Sequence, residues 1–248
     1  MDDPGLLPGL TALFLLMAVL YSAVGQAGGS GYLAAMALVG VAPERFRVIA
    51  LTLNVVVSSI GLMKFTRAGH FNGRLLFPFL ITSVPLAFVG GYLVLPAQVF
   101  RIVVGVALLW AALLLVWKPP LPDEALRGHP PLWASMSVGG GIGLLSGLIG
   151  IGGGVFLAPF LILLGWASAK TTACLSSAFI LANSLAALAG VATHITGVPV
   201  FLPVWMLVVA LGGWLGSDLG AKRLRPRTMH WILAVILVVA GARITLSG

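Results

Sequence analysis

A chain of 248 residues that is 60% hydrophobic and only 8% charged cannot cover a water-facing surface, which excludes a soluble domain. Apolar runs near or above ~18 residues recur along it, each long enough for one bilayer crossing, and none alternates as a barrel strand would. The net charge of +8 does not point to nucleic acid, because Lys and Arg sit in short loops between apolar runs; the lone Cys174 rules out an intramolecular disulfide and a cysteine metal site.

In chain order, Asp2 and Asp3 stand where a leader peptide would be basic, so residues 6–20 read as a retained helix. The first long segment, 6–40, is interrupted by GQAGGSG at 25–31. A second, 132–165, is interrupted by GLIGIGGG at 147–154. At ~1.5 Å per residue a straight helix of about 35 residues would measure ~52 Å, against ~30 Å for the hydrocarbon core. The pieces after each interruption, 32–39 and 155–164, are about half a span. Both segments therefore read as broken helices. Uninterrupted spans are expected at 46–65, 75–95, 99–117, 171–193, 198–219 and 229–246. The proline-rich stretch KPPLPDEALRGHPP at 118–131 reads as a linker between a first unit, 1–117, and a second, 132–248.

A shift of 125 positions aligns the two units. Gly25, Gly28 and Gly29 fall on Gly150, Gly153 and Gly154; Leu38, Gly40 and Ala42 fall on Leu163, Gly165 and Ala167; Ser59 falls on Ser184. The order of features repeats as well: broken segment, polar-dotted span, span with a Gly pair (Gly90–Gly91, Gly212–Gly213), final span. The basic residues give the orientation. If each broken segment dips in and returns, one side holds Lys64, Arg67, Arg74, Lys118, Arg127, Lys170, Lys222, Arg223, Arg225 and Arg227, and the other only Arg45, Arg47, Arg101 and Arg243. Full crossings would leave the two sides nearly equal, so the positive-inside rule favours re-entry. The expected fold is an all-α polytopic membrane protein of two inverted repeats. Each repeat is a Gly-broken re-entrant or discontinuous helix plus three spanning helices, with both termini outside.

Irregular backbone at membrane depth must be buried in protein or line a wet cavity. A glycine break followed by a helix leaves N–H donors and a positive dipole end, which suits an anion. Gly28, Gly29, Ser30 and Gly31 from one break and Gly152, Gly153 and Gly154 from the other are the candidate cradle. The spans that follow add Asn54, Ser58 and Ser59, with Asn183 as the counterpart of Ser58 and Ser184 of Ser59, since hydroxyl and amide groups can replace water around a small oxyanion. The scattered pairs Gly90–Gly91 and Gly212–Gly213 read as helix-packing positions. No GlyLys[Ser/Thr] follows either break, so neither is a P-loop, and the dinucleotide pattern fails at Val155. Asp218 reads as a partner of Lys222 one turn on. No cofactor is implied, and no catalytic or metal-binding set is present.

GIGGG at Gly150–Gly154 with Pro159 and Leu161 behind it resembles the second-half signature of the sulfite exporter TauE/SafE family. The glycine-rich first copy, the length and the duplicated layout extend the resemblance over essentially the whole chain. It implies a multi-pass inner-membrane exporter of a small sulfur-containing or organic anion, such as sulfite or sulfoacetate. The chain departs from the pattern at Ala34, where a proline would match Pro159, and at Ser30, which interrupts the glycine run. Related thiosulfate transporters rely on several cysteines, which a single Cys174 cannot supply. The expected partners are the small anionic substrate and the lipid bilayer. A coupling proton, through His194 or the substrate itself, and a homodimer stay open. So does an anion channel built on the same cradle. An intramembrane enzyme would need a catalytic pair at depth, and His194 lies at a span end.

Overall fold

The computed structural model describes residues 7–38, 43–93, 131–193 and 200–225, together with 109, 113, 128, 130, 227–229, 231, 232, 234, 235 and 238. Most of the expected span at 99–117, most of the linker, most of 229–246, and His194 lie outside the described residues.

The described regular structure is helical throughout. The first broken segment forms α1 (Leu7–Ser22), an irregular stretch, and α2 (Gly29–Leu38). Next come α3 (Pro43–Arg67) and α4 (Gly73–Tyr92). The second broken segment forms α5 (Leu132–Ile149) and α6 (Gly154–Leu163), followed by α7 (Ala169–Val191) and α8 (Leu202–Lys222). Helices α3, α4, α5, α7 and α8 are each long and apolar enough to cross a bilayer. The 10-residue α2 and α6 extend only ~15 Å, half a crossing. Both restart within the quoted glycine clusters. Asn72 opens α4 by accepting from the Leu75 N–H, and Ser168 does the same for α7 at Thr171.

Packing runs between the two ends of the chain. α1 lies on α8 and α4 lies on α5, while α3 and α7 cross at the centre. Small residues at four-residue spacing make both lateral seams. On α5, Gly139, Gly143 and Gly147 meet the carbonyls of Phe79, Ser83 and Ala87 of α4, leaving no room for a Cβ. On α8, Gly212, Gly216 and Gly220 meet the carbonyls of Leu15, Val19 and Ala23 along and just beyond α1. Gly90 and Gly91 are likewise pressed against α5 and α7 backbone, and Gly212 and Gly213 against α1 and α3. The main helix contacts are unchanged when α1, α2, α3 and α4 are exchanged for α5, α6, α7 and α8. Thus α1·α8 pairs with α5·α4, α3·α8 with α7·α4, and α2·α3 with α6·α7. Phe14, Tyr32 and Trp205 pin α1, α2 and α8 together edge to face, with centroids 5.2 and 5.3 Å apart, and the Trp205 indole N–H donates to Thr11 Oγ1.

Candidate functional site

The two breaks occupy residues 23–28 and 150–153. Their turns rest on left-handed glycines: Gly25 (φ +74°) and Gly28 (+99°) in the first, Gly150 (+84°), Gly152 (+84°) and Gly153 (+80°) in the second. Side-chain-bearing residues avoid this region, which accounts for the composition. Gly25/Gly150 and Gly28/Gly153 are also the pairs that the 125-residue shift aligns.

The breaks meet each other. A Cβ on Gly29 would lie 2.8 Å from the Ile151 carbonyl oxygen and 2.7 Å from Asn54 Nδ2. Gln26 reaches from the first break to the second, donating from Nε2 to the Gly154 carbonyl at 3.2 Å. Around this junction the backbone is rich in idle donors. Among the described residues, no hydrogen-bond acceptor is found for the N–H groups of residues 27–31 or 151–155. Neither α2 nor α6 can satisfy its own first donors, and Gly153, the residue capping α6, has no side chain to help. A buried donor left alone costs several kcal/mol in an apolar setting, so such an array favours an acceptor placed against it.

Polar side chains border the array. Asn54 of α3 is fully buried, lies beside Gly29 and Gly152, and makes one long bond from Nδ2 to the Gly150 carbonyl at 3.5 Å. Ser184 of α7 is fully buried, has no partner for Oγ, and would be 2.9 Å from a Cβ on Gly152. Gln26 Oε1 and Asn54 Oδ1 are also buried without partners. Which end of each amide faces the junction follows from the ligand it meets, since amide oxygen and nitrogen exchange by a flip. Asn183 is buried beside Ser184 but spends Nδ2 on the Phe179 carbonyl of its own helix, at 2.9 Å.

Other expected residues stand apart. Ser58 is buried and bonds the Asn54 carbonyl at 2.5 Å. Ser59 is exposed on α3 and bonds the Val55 carbonyl at 2.7 Å, so its hydroxyl faces away from the junction. The Ser30 hydroxyl pairs with the Tyr21 phenol at 2.9 Å, which leaves only its backbone N–H for the array. Gly31 makes room for Met17 and Tyr21, Gly28 for the Tyr32 ring, and Gly153 for Phe179 and Ile142. These glycines shape the breaks and contribute donors without lining the junction through side-chain space.

Two residues outside the expected set belong to the picture. Gln26 lies within the quoted GQAGGSG stretch, where a lone amide in a glycine run is itself a polar signal. Arg47 reads in the sequence as one of a few loop charges, yet its guanidinium gathers four carbonyls: Leu93 at 3.0 Å, Gly90 at 2.9 Å, and Gly91 and Gly147 at 2.8 Å. It neutralises the negative ends of α4 and α5 together and lies against Gly150. Lys170, near the start of α7, caps α8 in a weaker version, on the Ala221 carbonyl at 3.3 Å. At the far end of α3, Lys64 pairs with Asp218 of α8 at 2.9 Å and lies 3.5 Å above the Trp214 ring centroid. Asp218 also meets Lys222 at 2.7 Å. Among the described residues no group of three or more His, Cys, Asp or Glu could hold a metal.

Membrane-crossing helices, two broken segments meeting in the interior and a donor-rich junction define a polytopic helical membrane protein organised around a buried polar site. The chain belongs to the sulfite exporter TauE/SafE family, whose model matches residues 10–244, and it is a membrane transporter rather than an enzyme. It is 40% identical over 240 residues to the probable membrane transporter protein y4hK of Sinorhizobium fredii, covering 95% of this chain and 97% of that one. It is 25% identical over 276 residues to the probable membrane transporter protein YunE of Bacillus subtilis, covering 96% and 97%. No solved structure matches it.

Proposed function

We propose that the chain exports a small sulfur-containing or organic anion, such as sulfite or sulfoacetate, across the cell's inner membrane by alternating access around the junction of the two breaks. The observation that carries the reading is the run of unpartnered N–H groups at 27–31 and 151–155, which meet where α2 and α6 begin. Helix N-termini favour negative charge, and transporters of inverted-repeat design use half-helices in this way. Sulfite or a sulfonate presents several acceptor oxygens around one centre, matching donors that arrive from two directions. Gln26, Asn54 and Ser184 would complete the shell, with Asn183 next to it.

The exchange-related helix contacts support two repeats, 1–117 and 132–248, joined by the linker 118–131. The bias of basic residues supports their inverted relation. An inside-negative potential favours outward movement of an anion by ~2.3 kcal/mol per charge per 100 mV, so export needs no ATP machinery.

The test is a binding screen of the purified protein against sulfite, sulfate, sulfoacetate, isethionate, thiosulfate and simple carboxylates. The reading expects saturable binding of at least one sulfur oxyanion, and counterflow of the same anion in proteoliposomes. Binding to none of the sulfur oxyanions would overturn it.

A further inference from the structure

The C-terminal end of α1 presents a second polar cluster, distinct from the donor array. Ser22 ends α1, Gly25 follows in the break, Ser177 projects from α7 and Ser217 from α8. Ser177 and Ser217 converge on Gly61 of α3: a Cβ there would lie 2.8 Å from Ser177 Oγ and 3.5 Å from Ser217 Oγ. Ser22 Oγ lies against Gly216, the neighbour of Ser217. All three serines are at most 1% exposed. Ser177 Oγ is within hydrogen-bonding distance, 3.0 Å, of both the Gly25 carbonyl and the Ala173 carbonyl.

Ser217 Oγ has no partner. This is unlike Ser58, Ser59 and Ser177, each of which bonds the carbonyl four residues back on its own helix. The other broken segment shows what such a place requires. At the end of α5 the negative helix terminus is met by the Arg47 guanidinium on the Gly147 carbonyl. Shifted by 125 positions, Arg47 corresponds to Thr172, a neutral residue whose buried Oγ1 also lacks a partner. The end of α1 therefore has oxygen ligands and a negative dipole, and among the described residues no Lys or Arg side chain bonds one of its carbonyls: Lys64 goes to Asp218 and Lys170 to the Ala221 carbonyl.

We propose that this cluster is a sodium site, formed by the Gly25 carbonyl and the Ser177 and Ser217 hydroxyls at the end of α1. Neutral oxygen donors without a carboxylate, thiolate or imidazole suit a small, hard, monovalent ion better than a divalent or transition metal. Helix C-terminal ends and unwound carbonyls hold coupling cations in transporters with broken helices. The ion would do for α1 what Arg47 does for α5.

The experiment is thermal unfolding of the purified chain in detergent, titrated with NaCl against choline chloride or KCl at constant total chloride. Sodium alone should raise the midpoint saturably. Ser217→Ala should weaken the half-saturating sodium concentration at least tenfold, while Ser59→Ala, which removes an exposed hydroxyl, should leave it unchanged. Equal midpoints in the three salts would overturn the proposal, as would a wild-type sodium response in Ser217→Ala. If that variant does not fold, sodium-23 line broadening on the wild type decides: saturable broadening supports the site and its absence overturns it. Because chloride is held constant, the readout reports the cation whether or not the breaks bind an anion.

Discussion

The two breaks share a backbone plan and differ in what surrounds it. Each turns on left-handed glycines three residues apart, Gly25 and Gly28 in one, Gly150 and Gly153 in the other. The first takes six residues and carries Gln26; the second takes four, adds Gly152, and runs into a helix with the buried Pro159, where the first has Ala34. A guanidinium backs the second, whereas serine hydroxyls back the first. Backbone geometry is held by glycine and is therefore duplicated, while charge is supplied from neighbouring helices and is free to diverge. An anion at the junction would thus have a fixed positive charge on one side only.

Changing the first break should have the largest effect. Gln26→Glu keeps the shape and places a negative charge at the junction. At an effective dielectric of about 20, two charges ~4 Å apart repel by roughly 4 kcal/mol, so at pH 8 anion binding should fall by about 100-fold or more. Calorimetric titration checks this, and wild-type affinity would remove Gln26 from the site. On the other side, Arg47→Gln leaves four carbonyls without their charged donor. Charged hydrogen bonds contribute about 1.5–3 kcal/mol each, and part of that is recovered by water, so a loss of roughly 3 kcal/mol in thermal stability is expected. Arg47→Lys should recover only part of it, because an ammonium has three donors on a single nitrogen to share among four acceptors. Ser184→Ala removes one neutral donor beside Gly152; it should weaken anion binding by roughly 1 kcal/mol, about fivefold, with an unchanged melting midpoint. Ser59→Ala should change neither binding nor stability by more than about 0.5 kcal/mol. A marked loss of binding there would move the site to the exposed face of α3.

Much of the frame was legible because it follows from length and glycine content. A 35-residue apolar segment with a glycine cluster has few ways to fit a bilayer, and the restarts of α2 and α6 fall inside those clusters. Which face of a membrane helix points inward was not legible. Lipid and protein interior are equally apolar, so hydropathy separates Ser184, which is buried, from Ser59, which is exposed, no better than chance. Arg47 was hidden for a different reason. Its partners are backbone carbonyls 43 to 100 residues away, and carbonyls have no sequence signature. The Gly90–Gly91 pair brings those carbonyls close, but in sequence it reads only as packing.

The central claim is that one anion is held by the backbone of both breaks. Hydrogen–deuterium exchange with and without saturating sulfite or sulfoacetate, whichever binds, measures it most directly. The account predicts added protection in peptides covering 27–31 and 151–155, with little change along the lipid-facing helices. Protection confined to other segments, with both breaks exchanging as before, would contradict it.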